Sequence, residues 1–306
     1  MHCGVLYTRI REDEKLLLEA LRAAGHDVTK IDVRKLCFHL EDAPAALDDL
    51  DVAVNRCMES SRSRYVTRLL DLYGVEVVND PMTAAICADK VWGSVALRSA
   101  GVPTPRTTVA FTPDAALAAV EEFGYPCVMK PVTGSWGRLV SRIDSRSAAE
   151  TVVEHKDVLG GYEHKVYYVQ EFVDKPDRDI RVLTCDAEPV AAMTRSSAHW
   201  LTNAARGATT AQFALDAAAT DIARRASEAV GGGLLGVDLM ETGEGTDDAG
   251  DTGNSVAHGT ASSAGYVCHE VNSQVEFKSL NAATPDVDVP ARIVDWLERR
   301  AEAAGA

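Results

Sequence analysis

Along the first eighty residues, short apolar runs alternate with stretches whose apolar positions recur at helical spacing. Strands are expected at 5–7, 28–33, 51–56 and 75–79, with helices at 12–24 and 62–73. The first helix is apolar at 16, 17, 18, 20, 21 and 24 and stops at Gly25. Such alternation predicts a parallel sheet covered by helices. After Pro81 the pattern changes: a helix carrying Asp89, Lys90 and Trp92 runs to Gly101, and the rigid turn VPTPRT follows. Next come strand 107–110, helix 113–123, strands 127–130 and 138–143, and helix 147–159, a small α+β unit. Strands at 166–173, 179–186 and 188–195, a helix at 214–230, strands at 235–241 and 266–271 and a helix at 291–303 complete the chain. Residues 242–265, rich in Gly, Ser, Thr and Asp, read as a disordered insertion in a hairpin. The expected fold class is α/β and α+β, with an α/β domain at 1–83 and two lobes at 84–166 and 167–304.

Composition narrows the function. With 46% hydrophobic and 25% charged residues the chain has a globular balance, and no apolar run reaches the length of a bilayer span. The net charge of -15 repels nucleic acid and anionic lipid, so neither a nucleic acid nor a membrane is expected as partner. The start lacks the basic and apolar regions of a signal peptide, and seven cysteines stand singly without a CxxC pair, so a reducing cytoplasm is expected. No G-x-G-x-x-G follows the first strand, which disfavours a nicotinamide cofactor there.

Candidate chemistry begins at Cys127-Val-Met-Lys130-Pro-Val-Thr-Gly134-Ser135-Trp136-Gly137-Arg138. A strand delivers Lys130 into a turn where Gly134 and Gly137 allow backbone N–H groups to approach a polyanion. A plain β-hairpin with a glycine turn accounts for the same residues. Further on, Asp238 lies in one apolar strand, and Glu270 and Asn272 alternate onto one face of another. Carboxylates in apolar strands are expensive unless paired or metal-bound. Oxygen donors on neighbouring strands suit Mg²⁺, which takes its remaining ligands from water and phosphates; two edge-strand acids in water are the plainer account. Between these lie Tyr168-Val-Gln170-Glu171-Phe172-Val173 and Asp179-Ile-Arg181, a strand whose backbone can meet an adenine edge, with an acid nearby.

Taken in order, Asp-Lys on a helix, Lys-Pro with a glycine turn, Gln-Glu-Phe-Val, Asp-x-Arg, Arg-Gly and Asp…Glu-x-Asn resemble the ATP-grasp superfamily. Within it the chain is most similar to the RimK-type ligases of the LysX/ArgX family, through DKVWGSVALRSAGVPTPRT, KPVTGSWGRLVSRI, YVQEFVDKPDRDIRV, RSSAHWLTNAARGA and EVNSQVEFK. The resemblance implies a Rossmann-like pre-ATP-grasp domain before two lobes that grip ATP. It implies that Lys90 and Lys130 contact the nucleotide phosphates and base. Gly134, Ser135, Trp136 and Gly137 would close over the phosphates, Gln170, Glu171, Phe172 and Val173 would line adenine, and Asp179 would lie near the ribose. Asp238, Glu270 and Asn272 would hold two Mg²⁺ ions, with Mn²⁺ as the alternative. Arg195 and Arg206, assisted by Asn203, would serve the transferring phosphoryl group and the acyl phosphate.

The reaction it implies joins the α-amine of glutamate or 2-aminoadipate to the C-terminal Glu side chain of LysW, a small acidic carrier protein, in arginine or lysine biosynthesis. A homodimer or homotetramer is implied as well. Arg56, Arg62, Arg64 and Arg68 cluster where such a carrier could dock; a solvated helix face is the plainer account. After Lys278, LysX proteins carry Asn-Thr or Asn-Ala and ArgX proteins Gly-Phe, whereas this chain has Ser279-Leu280. A small residue followed by a large apolar one would fill more of the pocket, which favours glutamate, although one methylene discriminates only weakly. The alternatives are a RimK-like ligase acting on a ribosomal protein or a pterin, and a non-catalytic ATP-binding subunit.

Overall fold

The computed structural model describes residues 1–58, 60–134, 137–161, 165–200, 208–242 and 265–304. Ser135, Trp136, Asn203, Arg206 and residues 243–264 of the expected insertion lie outside the described residues.

The front domain comprises β1 (His2–Tyr7), α1 (Glu12–Ala23), β2 (Asp27–Asp32), β3 (Val52–Asn55), α2 (Ser60–Leu72) and β4 (Val77–Val78). Its strands form the expected parallel sheet, in the order β2-β1-β3-β4. Helix α1 starts where the Glu14 carboxylate reaches back to accept from the Arg11 N–H at 2.8 Å, and Glu12, Asp13 and Glu14 put negative charge on the positive end of the helix dipole.

The single helix expected after Pro81 is two. α3 (Pro81–Ala88) and α4 (Lys90–Ser99) break at Asp89, whose extended backbone lets its carboxylate accept from the N–H groups of Val91 and Trp92. An aspartate is worth more as a cap than inside a helix. The break makes Lys90 the first residue of α4, and its N–H reaches Val132 O at 2.8 Å.

The central lobe holds β5 (Thr107–Ala110), α5 (Pro113–Phe123), β6 (Cys127–Lys130), β7 (Ser141–Ile143), α6 (Arg146–Leu159) and β8 (Tyr167–Glu171), with sheet order β5-β8-β6-β7. β6 and β7 do form a hairpin across the glycine turn. The boundary expected at 166/167 cuts off β8, which pairs with both β5 and β6 and therefore belongs to this sheet.

The C-terminal lobe holds β9 (Arg178–Cys185), β10 (Glu188–Ser196), β11 (Thr209–Gln212), α7 (Ala217–Ala229), β12 (Leu234–Glu241), β13 (Tyr266–Asn272), α8 (Lys278–Ala283) and α9 (Val289–Ala304). Its antiparallel sheet runs β11-β10-β9-β12-β13. β11 and α8 are not foreseen from the sequence. The first is a fully exposed edge strand with no apolar alternation, and the second spans six residues, too few for a helical period to register.

Packing decides which elements share a core. Leu97 and Val102 pack with Ile222, Ala226, Leu235 and Val237, so α4 sits on the C-terminal lobe although it was grouped by sequence with the central one. Leu17, Leu21 and Val54 share a core with Leu183, Phe277, Leu280, Ile293 and Trp296, which fuses the front domain to that lobe. The central lobe has its own core around Val120, Met129, Ile143 and Val169. At the fused boundary, Asn79 Nδ2 donates to Leu234 O (3.0 Å) and Ser273 O (2.9 Å), and its Oδ1 accepts from Leu234 N (2.6 Å). Gly233 has φ +113°, and a Cβ there would stand 2.1 Å from Asn79 Oδ1, so only glycine fits. Among the described residues no helix is long and apolar enough to cross a membrane.

Candidate active site

A cavity of about 1100 Å³ is lined by all three parts of the chain. Every residue expected from the sequence to meet nucleotide, metal or the transferring group, and described in the structure, lies on its wall: Lys90, Lys130, Gly134, Gly137, Gln170, Glu171, Phe172, Val173, Asp179, Arg195, Asp238, Glu270 and Asn272.

One wall is negative in its own right and cationic in its surroundings. Asp238 on β12 stands in register with Arg181 on β9 and with Glu270 on β13. Its carboxylate, 5% exposed, accepts from Arg181 Nε at 2.5 Å and Nη2 at 2.7 Å, and Arg195 Nη2 lies 3.1 Å away. Asn272 Nδ2 donates to the same carboxylate at 3.2 Å. Burial by itself would raise the Asp238 carboxyl; the two guanidinium groups outweigh it and hold it at about 2. Glu270 pairs with Lys90 at 3.2 Å, and Lys90 Nζ also donates to Gly134 O at 3.0 Å, tying α4 to the glycine turn.

Lys130 enters from the central lobe with 6% exposure. Its Nζ donates to Gln170 Oε1 at 2.5 Å and meets His269 Nε2 from β13. Burial, with the Lys90 charge adding to it and Glu270 opposing it, lowers the Lys130 ammonium to about 7. The Gln170 amide is occupied: Nε2 donates to Thr107 Oγ1 (2.9 Å) and Tyr168 Oη (3.0 Å). Gln170 thus holds Lys130, and any adenine edge falls to the backbone beyond it. There Phe172 lies 4.6 Å under the Arg142 guanidinium and 6.2 Å from the Trp200 ring, while the Glu171 side chain is held by Arg106 at 2.7 and 2.9 Å. Asp179 pairs with Lys175 at 2.9 Å and approaches Arg195 at 4.0 Å.

The donor set fits a hard divalent cation. Two carboxylates and an amide oxygen sit on adjacent strands, each carboxylate already drawing a side-chain cation to itself. Among the described residues no three His, Cys, Asp or Glu side chains gather into a metal cage. A two-carboxylate site of this kind suits Mg²⁺, which keeps waters and binds substrate phosphates rather than filling its shell from protein.

Two expectations are corrected. Arg56 is no docking residue: it is 2% exposed, donates to Glu14 Oε1 (3.2 Å) and Val275 O (2.9 Å), and lies over the Phe277 ring. Arg68 pairs with Asp71 at 2.9 Å, whereas Arg64 is exposed and lines the cavity. Leu280 does not fill the pocket. It is fully buried in the core with α9, and only Ser279 lines the cavity, so the argument for glutamate from a bulky side chain falls away. Arg181, Lys175 and His269 were missed as partners of Asp238, Asp179 and Lys130. Alternation put Arg181 on the face of Asp179, a signal that was present; no local signal marks the other two.

Residues 3–86 match the LysX preATP-grasp domain and residues 87–246 the RimK-like ATP-grasp domain. The chain is 31% identical over 304 residues to the alpha-aminoadipate--LysW ligase LysX of Sulfurisphaera tokodaii, covering 98% of this chain and 100% of that protein. It is 30% identical over 302 residues to the glutamate--LysW ligase ArgX of Sulfolobus acidocaldarius, covering 97% and 98% respectively. Among solved structures, a RimK domain protein ATP-grasp from Sphaerobacter thermophilus superposes with a TM-score of 0.77 at 29% identity, covering 97% of this chain and 99% of that one.

Proposed function

The chain belongs to the RimK-like ATP-grasp family, and from that premise we propose that it is an ATP-dependent, ADP-forming ligase that joins the α-amine of glutamate or 2-aminoadipate to the C-terminal Glu side chain of a LysW-like carrier protein. The observation that carries this reading is the convergence of Lys90, Lys130, Asp238, Glu270 and Asn272, which come from separate parts of the sequence, on one cavity wall. Full-length similarity to ligases of both LysW branches supports the substrate class.

In the reaction, a carrier carboxylate oxygen attacks the γ-phosphorus of ATP, the bond to the β-bridging oxygen breaks, and ADP leaves. The amine then attacks the carbonyl carbon of the acyl phosphate, which expels inorganic phosphate, and a proton leaves the nitrogen. Little of this needs covalent help from the protein; positioning and charge neutralisation do most of the work. Lys90 and Lys130 supply positive charge to the phosphates, and a bound polyanion keeps the Lys130 ammonium protonated despite its burial. Arg195 faces the transferring group, where a planar guanidinium can hold two oxygens at once. We assign Arg206 and Asn203 to the same step on the family resemblance. Asp238, Glu270 and Asn272 would hold divalent metal, two Mg²⁺ ions in this reading, which when bound neutralises phosphate charge and orients the γ-phosphoryl group. Glu171, Phe172 and Val173 would receive the adenine, with Asp179 toward the ribose. The enzyme would act in the cytoplasm as a homodimer or homotetramer.

The test is ADP release by the purified protein with ATP, Mg²⁺ and a LysW-like carrier, given glutamate or 2-aminoadipate. Carrier-dependent turnover with one amino acid identifies reaction and branch together. ADP release indifferent to the carrier would transfer the chain to the RimK-like ligases of other acceptors, and nucleotide binding without turnover would make it a non-catalytic subunit.

A further inference from the structure

Strand β13 carries one residue more than its ladder needs. Asp238 pairs with Glu270 and Leu239 with Cys268, so His269 has no counterpart on β12. The extra residue of a bulge is unpaired and its side chain can be re-aimed. Here the consecutive residues His269 and Glu270 both line the cavity, where strict alternation would send one of them to the opposite face. Glu270 takes Lys90. His269 Nε2 instead meets Lys130 Nζ, a contact that crosses from the C-terminal lobe to the separate core of the central lobe.

An ammonium has three N–H donors. Gln170 Oε1 receives one, and Gln170 is itself anchored to Thr107 and Tyr168, so it cannot follow a moving lysine. An ammonium can only donate, so at this contact His269 Nε2 is the acceptor, which places the ring proton on Nδ1. With two of its donors taken by acceptors mounted on opposite lobes, the third is left for the cavity.

We propose that His269 is the positioning residue of Lys130: set on the cavity face by the β13 bulge, it accepts a hydrogen bond from the ammonium across the lobe boundary and aims the remaining donor at a nucleotide phosphate. The proposal rests on the ATP-binding part of the reading above and not on the identity of the carrier. Without His269 the long, flexible lysine stem pivots about Gln170 alone, and binding of a phosphate must first order it.

The test compares His269→Leu, which removes the acceptor, with His269→Gln, which returns one, in the full-length protein. Binding of Mg²⁺ and a non-hydrolysable ATP analogue is measured by calorimetry, alongside KM for ATP and for the amino acid. His269→Leu should weaken analogue binding and raise KM for ATP about tenfold, the scale of losing one charge-assisted hydrogen bond. KM for the amino acid and the melting temperature should stay near wild type, and His269→Gln should recover most of the affinity. Analogue binding unchanged in His269→Leu, equal losses in both variants, or a uniform rise of all KM values with a lower melting temperature would each overturn the proposal. A wild type that binds the analogue but ignores the carrier removes the LysW reading and leaves this comparison valid. A wild type that binds no nucleotide removes both.

Discussion

Arg181 and Asp238 face each other on neighbouring strands and share two hydrogen bonds of 2.5 and 2.7 Å, while Arg195 approaches the same carboxylate at 3.1 Å. The carboxylate proposed as a metal ligand is therefore also the keystone of a buried ionic group. Removing one partner of a buried ion pair leaves uncompensated charge, which costs about 3 to 5 kcal/mol. Asp238→Ala should lose stability on that scale in urea unfolding, and ADP release should drop by about 100-fold or more, since metal-assisted charge neutralisation contributes several kcal/mol. Retention of turnover in this variant would remove Asp238 from the metal site.

The same carboxylate sets an acid limb. Its pKa falls from 3.8 in the unfolded chain to about 2 in the fold, so its contribution is fully present above about pH 4 and is lost as pH falls toward 2. That contribution is on the order of 2 kcal/mol. The stability gap between wild type and Asp238→Asn should therefore narrow across this window in acid-unfolding curves.

Lys130 works in the opposite sense. Its pKa is lowered from 10.5 to about 7, so between those values the unfolded chain binds the extra proton and stability rises with pH. Lys130→Met should flatten this slope in nucleotide-free urea titrations between pH 7 and 10, and should weaken ATP binding by at least about tenfold. An unchanged slope would place the ammonium in solvent.

Arg56 and Arg64 separate structure from docking. Arg56→Met leaves Glu14 without one of its buried partners and should cost roughly 3 kcal/mol of stability. Arg64→Ala, at an exposed position, should move stability by less than about 0.5 kcal/mol while raising KM for an acidic carrier, most clearly at low salt. Equal carrier kinetics in wild type and Arg64→Ala would move the docking surface elsewhere.

Gly233 and Asn79 couple the front domain to the C-terminal lobe. Gly233→Ala drives a Cβ to 2.1 Å from Asn79 Oδ1 at a left-handed φ, and should destabilise by about 2 kcal/mol or more. If the clash is the cause, the loss in Gly233→Ala with Asn79→Ala will be smaller than the sum of the two single losses, as a double-mutant cycle of melting curves reads directly.

Much of the fold was settled by local sequence, and the residues of the candidate site were legible in it. β5, α5 and β6 have the bounds expected from periodicity, because Thr112 caps α5, Pro113 opens it and Gly124 closes it, all within one turn of the element they define. The alternation of Glu270 and Asn272, and Lys130 at the mouth of a glycine turn, are likewise short-range patterns. Tertiary structure decided the rest, because burial and pairing depend on residues far apart in sequence. Arg56 looked like surface until α1 and the segment after β13 closed over it, and Leu280 looked like pocket until α9 buried it. The His269 bulge arises from the pairing of β13 with β12, a mismatch between two strands that neither encodes alone. Periodicity says which residues share a face; only the assembled lobes say what that face meets.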